Sequence, residues 1–460
     1  MNKILIPSSL IELTGLVQQC LLLAKEQGFI IENVELGVSP TQSIQLIHDQ
    51  HITSLSTDIL SSIDCSQGSD YILHYRSELS VGECRHQEPT DIFIGIPDRP
   101  LNEAPNSSQL DIWRHPINNE ARALSVAPHL AKHLYPELHL AWFVTLSILD
   151  FPIEDVLTLA RAMMSPTGSV SRETSAFDIR TISSNHVLKV WAFEFSAFPT
   201  PVLEDDRLGI QVGWSANGES VGFPTLAKAS LGLYPVVDDV SWIERLLPMG
   251  IKTIQLRIKN PQQSDLEQQI EKAIELGHQY DAQVFINDYW QLAIKHGAYG
   301  VHLGQEDIEE SNLAQLSKAG VHLGLSTHGY YELLRIVQIH PSYIALGHIF
   351  PTTTKEMPSK PQGLVRLALY QKLIDTIPYG ITKSSNNQQL GFPTVAIGGI
   401  DQSNADQVWQ CGVSSLAVVR AITLSSDPQL VIDFFANLMG ASQDVLVRKN
   451  RNEQRAVCAE

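Results

Sequence analysis

The sequence predicts an α/β protein whose C-terminal half is a (β/α)8 barrel, preceded by a second α/β domain. Eight short β-rich runs, each followed by a segment of helical period, occupy about 210 residues, the usual content of such a barrel. The runs are nearly continuously apolar, which is typical of a parallel sheet buried on both faces. Of the 28 glycines, 18 fall in residues 221–460, where ligand loops are therefore expected. Periodicity alone leaves a doubly wound open sheet as the alternative.

The barrel elements are predicted in chain order from these runs. The eight strands are expected at 231–237, 252–258, 283–287, 300–304, 322–327, 343–350, 393–399 and 415–419. Helical periodicity marks 264–281, 330–339, 364–377 and 427–439. The polar stretch 378–392, which precedes the seventh strand, is expected to be a surface loop.

The first half gives fewer signals. Residues 7–29 predict an amphipathic helix with Ser8 or Ser9 as its N-cap, and 91–96 predicts a strand. Residues 140–164 predict two helices broken near Pro152, because proline cannot continue a helix. The predicted domains are 1–220, of uncertain role, a linker at 221–230, the barrel at 231–440 and a polar tail at 441–460.

Composition excludes several classes of function. A net charge of −18 provides no positive field for nucleic acid. Five scattered cysteines without a Cys-x-x-Cys pair argue against a disulfide framework or a zinc site. There is no long apolar run for a membrane span and no signal-peptide pattern, so a cytoplasmic protein is expected. His129 and His133, four residues apart with Glu137 beyond, allow a metal site, but ordinary histidines are the favoured interpretation.

Polar residues follow the predicted strands at their C-terminal ends, where barrels carry their active sites. Gln255, Arg257 and Lys259 alternate along one face at the end of the second strand. Further ends carry Asn287, Asp288, Asp307, Ser326, Thr352, Lys355, Gly399, Val419 and Arg420. Two of these carboxylates, Asp288 and Asp307, with the three cations Arg257, Lys259 and Lys355 suit a Mg²⁺-bound polyphosphate. Each of them alone would be an ordinary surface ion pair.

Seven short segments that contain or adjoin these residues together resemble one known family. The segments are QLRIK (255–259), IND (286–288), VHLGQED (301–307), GLSTH (324–328), PTTTK (351–355), AIGGI (396–400) and AVVRAI (417–422). In order and spacing they resemble the motifs of thiamine-phosphate synthases across 231–440. The resemblance implies an enzyme that joins a pyrimidine diphosphate to a thiazole phosphate with Mg²⁺ as cofactor and releases pyrophosphate. A thiazole tautomerase of the same barrel family is less similar, because it would need neither the carboxylates nor the lysines.

The resemblance also implies roles for individual residues. Asp288 and Asp307 would ligate Mg²⁺, and Arg257, Lys259, Ser326 and Lys355 would act on the diphosphate. Substrate contacts would come from Gln255, Leu256, Arg257, Ile258, Lys259, Asn287, Ser326, Thr352, Thr353, Thr354, Lys355, Gly399, Val419 and Arg420. Arg420 stands where many relatives have a small serine. The expected partners are these small molecules, without nucleic acid or membrane, and the sequence is compatible with a homo-oligomer.

Residues 1–220 faintly resemble a hydroxymethylpyrimidine phosphate kinase of the ribokinase-like fold, through 140–164 and 170–173. That kinase needs a glycine-rich anion loop, yet no glycine occurs between Gly95 and Gly168. The resemblance therefore implies a decayed domain without catalysis. Two alternatives stay open for the whole chain: a thiamine-precursor-binding regulator that has lost turnover, and a bifunctional kinase and synthase.

Overall fold

The structure is a computed structural model that describes residues 2–59, 68–99, 107–165, 190–212, 222–352, 360–381 and 388–440. It forms two compact units. The first unit comprises Met1–Ser215 and Gly329–Arg335, and the second comprises Ala216–His328 and Ile336–Glu460. Most of the predicted linker is described, whereas the predicted tail lies outside the described residues.

A nine-stranded mixed sheet forms the centre of the first unit, in the order β2-β1-β3-β4-β5-β6-β7-β8-β9. Its strands are β1 (Asn2–Ile6), β2 (Val34–Val38), β3 (Ile44–His48), β4 (His51–Thr57), β5 (Tyr71–His74), β6 (Asp91–Pro97), β7 (Gln109–Arg114), β8 (Ala121–Val126) and β9 (Thr200–Pro201). A separate pair follows, β10 (Glu204–Asp205) and β11 (Ile210–Gln211). The strand predicted at 91–96 is thus β6.

Residues 1–215 of the first unit contain five α-helices within the described ranges. They are α1 (Leu13–Glu26), α2 (Val81–Cys84), α3 (Pro128–Ala131), α4 (Pro136–Ile148) and α5 (Ile153–Ala162). The predicted break at Pro152 is correct, since Pro152 is the N-cap residue of α5. The N-cap predicted at Ser8 or Ser9 is wrong: Ser8–Leu10 forms a 3-10 turn, and α1 starts only after Glu12.

The histidine pair considered for a metal does not share a helix. Helix α3 contains His129 but ends at Ala131, before His133, and Glu137 lies in α4. Within the described ranges, no three His, Cys, Asp or Glu side chains come together in a way that could hold a metal ion. Nor is any helix of those ranges long and apolar enough to cross a membrane.

Asp155 in α5 makes the stability of the first unit depend on pH. It is 2% exposed, and burial raises the pKa of its carboxyl group to about 7, although backbone N–H groups of Tyr331 and Tyr330 act in the opposite direction. The unfolded chain loses this proton near pH 4, whereas the folded chain keeps it to about pH 7. The resulting stabilisation is full below about pH 4 and is lost as the pH rises to 7.

Replacing Asp155 by asparagine should remove this pH dependence. The wild-type free energy of unfolding, relative to that of Asp155→Asn, is expected to fall by up to about 4 kcal/mol between pH 4 and pH 7. Urea midpoints followed by tryptophan fluorescence at intervals of half a pH unit would measure it. Parallel curves for the two proteins would show that Asp155 does not titrate in this range.

The second unit contains the predicted barrel, closed by eight parallel strands in chain order. These are β12 (Leu233–Val237), β13 (Thr253–Leu256), β14 (Gln283–Asn287), β15 (Gly300–Leu303), β16 (His322–Thr327), β17 (Tyr343–Gly347), β20 (Thr394–Ile397) and β21 (Ser415–Val418). Two antiparallel strands, β18 (Pro378–Ile381) and β19 (Gln388–Leu390), occupy the stretch expected to be a loop. The barrel prediction is confirmed, and the loop is in part a hairpin.

Helices follow the barrel strands along the chain. They are α6 (Val240–Leu246), α7 (Leu266–Tyr280), α8 (Trp290–His296), α9 (Gln305–Glu310), α10 (Leu313–Lys318), α11 (Tyr330–Ile336), α12 (Gly363–Ile374), α13 (Ala405–Gln410), α14 (Arg420–Thr423) and α15 (428–440). Most of α11 is grouped with the first unit.

Two large rings fill the barrel interior because glycines face them. Phe285 and Tyr343 belong to the apolar cluster that contains Tyr234 and Val236, and their rings pack edge to face at 5.2 Å. A Cβ atom at Gly300 would overlap the Phe285 ring, and one at Gly324 would overlap the Tyr343 ring. The lack of a side chain at these two glycines therefore leaves room for the two rings inside the barrel.

Candidate active site

The described residues of the predicted site follow barrel strands at their C-terminal ends. Because all eight strands run parallel, their C-terminal ends meet at the same end of the closed sheet. Residues at or just after the ends of β13, β14, β15, β16, β17, β20 and β21 are therefore brought to this rim.

Gln255 and its neighbours show how β13 divides its residues between two faces. Gln255 is 5% exposed, and its Nε2 donates to Tyr234 Oη inside the barrel at 3.3 Å. Leu256, 1% exposed, points to the opposite face of the strand, away from the barrel interior, by strand alternation. After the strand, Arg257 is half-buried and Lys259 is exposed.

The turn after β14 holds an aspartate in an uncommon backbone conformation. Asp288 has φ 65°, the left-handed region that Asp and Asn tolerate better than most residues. Its N–H donates to the carbonyl of His302 at 3.0 Å, and its own carbonyl accepts from Trp290 N–H at 2.7 Å. Asn287, just before it, is 5% exposed. The turn thus fixes the backbone position from which the Asp288 side chain extends.

Asp307 lies in the first turn of α9. Its Oδ2 accepts the N–H of Gly304 at 3.0 Å, which ties the carboxylate to the end of β15. A negative charge in this position is favoured by the positive end of the helix dipole. Asp288 and Asp307 therefore follow neighbouring strands, β14 and β15, at the same rim.

A buried chain of hydrogen bonds connects Ser326 with Gln255. Ser326 Oγ lies 2.8 Å from His302 Nε2, and His302 Nδ1 lies 2.8 Å from Tyr343 Oη. Tyr343 Oη in turn lies 2.9 Å from Tyr234 Oη, which accepts from Gln255. Four barrel strands and the end of β16 are linked in this way through the interior.

The donor at one end is compatible with one direction along the whole chain. With Gln255 donating to Tyr234, the Tyr234 hydroxyl can donate to Tyr343, and the Tyr343 hydroxyl can donate to His302 Nδ1. In this arrangement His302 carries its proton on Nε2 and donates it to Ser326 Oγ, and the Ser326 hydroxyl proton is available to a group at the rim. The opposite tautomer of His302 would reverse the last three hydrogen bonds.

The remaining predicted residues follow β17, β20 and β21. Gly398 and Gly399 follow β20 with φ 106° and 68°, and a Cβ atom on either would come too close to the 348–351 backbone or side chains. After β21, Val419 is half-buried and Arg420 is exposed. Thr352 is described, whereas the predicted residues Thr353, Thr354 and Lys355 lie outside the described residues.

Comparison with known proteins identifies relatives of the second half of the chain. The family model for thiamine monophosphate synthase matches residues 233–422. Thiamine-phosphate synthase of Yersinia pestis (strain Pestoides F) is 55% identical over 208 residues, which is 45% of this chain and 89% of that protein. The chain belongs to the thiamine-phosphate synthase family. It is accordingly a transferase of thiamine biosynthesis.

Other thiamine-phosphate synthases match over a similar length. The enzyme of Proteus mirabilis (strain HI4320) is 55% identical over 208 residues, 45% of this chain and 89% of that protein. A solved thiamine phosphate pyrophosphorylase from Pyrococcus furiosus is 25% identical, with a TM-score of 0.39, covering 46% of this chain and 98% of that one. The family model begins at residue 233, so the kinase-like resemblance of 1–220 is not confirmed.

For this synthase, sequence reasoning missed His302, Tyr234 and Tyr343. His302 stands inside a predicted strand and inside one of the seven motifs, but a histidine in an apolar strand is usually a core residue. Strand alternation places His302 on the same face as Gly300 and Gly304, and this was the available signal. Its partners lie 24 and 41 residues away, and only the fold brings them together.

Proposed function

We propose that this chain joins an aminopyrimidine diphosphate to thiazole phosphate, forming thiamine phosphate and releasing pyrophosphate. The observation that carries the proposal is the rim itself. Its strand ends carry two buried amides (Gln255 and Asn287), the half-buried hydroxyl of Ser326, two carboxylates (Asp288 and Asp307) and two cations (Arg257 and Lys259). Such a set can orient a flat polar ring and also bind a highly charged phosphate group.

Asp288 and Asp307 fit a magnesium ion that is shared with the substrate. Mg²⁺ prefers oxygen ligands and is usually held by one or two carboxylates together with substrate phosphates, not by an all-protein cage. When bound, the ion would neutralise charge on the diphosphate oxygens. Oxygens of Asp288 and Asp307 would ligate the ion, while Asp307 Oδ2 also accepts the N–H of Gly304.

The protein's part in the reaction is positioning and charge stabilisation. The bond between the pyrimidine methylene carbon and the diphosphate oxygen breaks first, and its electron pair leaves with pyrophosphate. The 4-amino group of the pyrimidine donates electron density to the cation that remains, and the thiazole nitrogen then supplies the pair for the new C–N bond. Ser326, Arg257, Lys259 and Lys355 would oppose the charge of the leaving group, with no covalent nucleophile.

Binding of the thiazole phosphate is proposed at the ends of β20 and β21. Barrels commonly bind phosphate on backbone N–H groups of the loops after the seventh and eighth strands. Gly399 is exposed there and has positive φ, so its backbone is accessible to a ligand. Val419 and Arg420 would complete this phosphate site, and Thr352, Thr353 and Thr354 would lie beside the thiazole ring.

We propose that residues 1–220 form a non-catalytic, decayed kinase-like domain. The stretch without glycine between Gly95 and Gly168 contains β7, β8 and α3–α5, and supplies no glycine-rich anion loop. A kinase would need such a loop, or a substitute for it, to bring N–H groups onto the transferred phosphate. Homo-oligomer formation by the chain stays a prediction.

Product formation tests the proposed reaction directly. The full chain is incubated with the pyrimidine diphosphate and thiazole phosphate, with Mg²⁺ or with EDTA, and thiamine phosphate is measured. We expect product with Mg²⁺ and almost none with EDTA. Saturable binding of both substrates without any product would favour the regulator instead, and ATP-dependent phosphorylation of the pyrimidine monophosphate would restore the bifunctional alternative.

A further inference from the structure

The segment directly after strand β16 belongs to the first unit. Gly329–Arg335 is grouped with Met1–Ser215, whereas His328 and Ile336 on either side are grouped with the barrel. Ser326, at the end of the hydrogen-bonded chain, is only three residues before Gly329. Whatever fixes Gly329 therefore restricts a rim residue through a very short stretch of covalent chain.

Asp155 fixes the start of α11. Its Oδ1 accepts the N–H of Tyr331 at 2.9 Å, and it also accepts the N–H of Tyr330. The first N–H groups of a helix have no partner within the helix, and a carboxylate that accepts them acts as a cap. Here the cap comes from α5, which is 176 residues away in the chain from Tyr331.

Gly329 makes this capping geometry available. A Cβ atom at residue 329 would overlap the Asp155 carboxylate. Glycine has no side chain with which to cap α11 itself, so the carboxylate of Asp155 occupies the place that a capping side chain would take. The missing side chain at residue 329 thus leaves the space that the Asp155 carboxylate occupies.

The aromatic residues of α11 reinforce the cap. Tyr330 is fully buried, stacks on Phe198 at 5.5 Å, and its hydroxyl accepts from Trp191 Nε1 at 3.4 Å. Tyr331, 6% exposed, packs edge to face on Trp113 at 5.6 Å. Both rings are therefore core residues of the first unit, and the start of α11 is held in place by packing as well as by the cap.

Helix α5, which carries the cap, is itself fixed to the sheet. Arg161 Nε lies 3.2 Å from Asp111 Oδ2 on β7, and Arg161 Nη2 donates to Gln109 Oε1 at 3.0 Å. Both charged side chains are almost fully buried, so breaking this pair would leave an uncompensated charge in the core. Asp155 therefore lies on a helix that is held against the sheet.

We propose that Asp155 is a positioning residue of the synthase: by capping α11 it fixes the end of β16 and hence the Ser326 hydroxyl at the pyrimidine-diphosphate site. This rests on the proposed function for the identity of the substrate. It gives the first unit a role that needs no catalysis of its own, because the unit caps the start of α11, which begins four residues after Ser326 in the chain.

Kinetics of cap variants in the full chain test the proposal. Asp155→Ala removes both acceptors, and Gly329→Ala displaces the carboxylate. For both variants we expect the KM of the pyrimidine diphosphate to rise about tenfold, because the loss of one helix cap has a free-energy cost of that size. The KM of thiazole phosphate should stay within about twofold. Asp155→Asn keeps an acceptor oxygen and should restore a value near wild type. Hydrogen exchange at the amides of Tyr330 and Tyr331 should be faster in the first two variants only.

Leu46→Ala is the matched control for loss of stability. Leu46 is buried in β3, four strands away from the β7 strand that carries Trp113. This variant should destabilise the first unit and leave the KM of the pyrimidine diphosphate unchanged. The proposal is overturned if Asp155→Ala leaves that KM unchanged, or if Leu46→Ala raises it equally.

Direct binding separates this proposal from the reaction itself. Calorimetry with the pyrimidine diphosphate measures its affinity without turnover. A wild type that binds but makes no product would refute the proposed reaction, whereas an unchanged affinity in Asp155→Ala would refute the positioning role alone.

Discussion

Replacing Asp288 by asparagine is expected to lower kcat/KM at fixed Mg²⁺ by about 10²–10³-fold, the range found when one preorganised charge-stabilising group is removed. Asparagine tolerates the left-handed backbone of this position, with φ 65°, as aspartate does. The substitution therefore removes the charge and leaves the turn after β14 intact. Raising the Mg²⁺ concentration should recover part of the lost activity.

Asp281 provides a matched control for that experiment. It also has positive φ, 50°, and it lies between α7 and β14, at the opposite end of the strand from Asp288. Asp281→Asn should leave both the activity and its Mg²⁺ dependence unchanged. Equal activity of Asp288→Asn and wild type at all Mg²⁺ concentrations would exclude Asp288 as a ligand of the ion.

The barrel could be predicted from sequence because its signals are local. Strands β14 and β16 end at the predicted residues 287 and 327, where apolar runs give way to polar residues. Strand β17 ends at Gly347, three residues before the predicted end, because the apolar residues continue into the loop. Local hydropathy reports burial, and burial continues beyond the last strand pairing.

The contacts of α11 could not be predicted in the same way. Periodicity indicated a helix at 330–339, and a helix is present at Tyr330–Ile336. However, the pattern has the same form whichever partner buries the apolar face, so it could not show that Tyr330 packs on Phe198 or that Asp155 caps the helix. The hairpin of β18 and β19 was missed for a related reason, since its pairing joins residues across a polar stretch.

The hydrogen-bonded chain beneath the rim predicts coupling between Tyr343 and Ser326. Ser326→Ala removes the hydroxyl proposed to contact the diphosphate, and we expect kcat/KM to fall by about 10²-fold. Tyr343→Phe removes the hydroxyl that hydrogen-bonds to His302 Nδ1 and so removes the contact that sets the His302 tautomer facing Ser326, and a loss of about tenfold is expected.

A double-mutant cycle distinguishes this relay from two independent effects. If Tyr343 acts through His302 on Ser326, then Tyr343→Phe should cost almost nothing in the Ser326→Ala background, a coupling of about 1.4 kcal/mol. Tyr299→Phe is the control, because Tyr299 precedes β15 at the other end of the barrel, where it stacks on His322. Additive losses in kcat/KM would mean that Tyr343 only packs the interior. A coupled loss with unchanged stability would instead make the barrel core part of the site, since the Ser326 hydroxyl would then be directed from Gln255 through Tyr234, Tyr343 and His302.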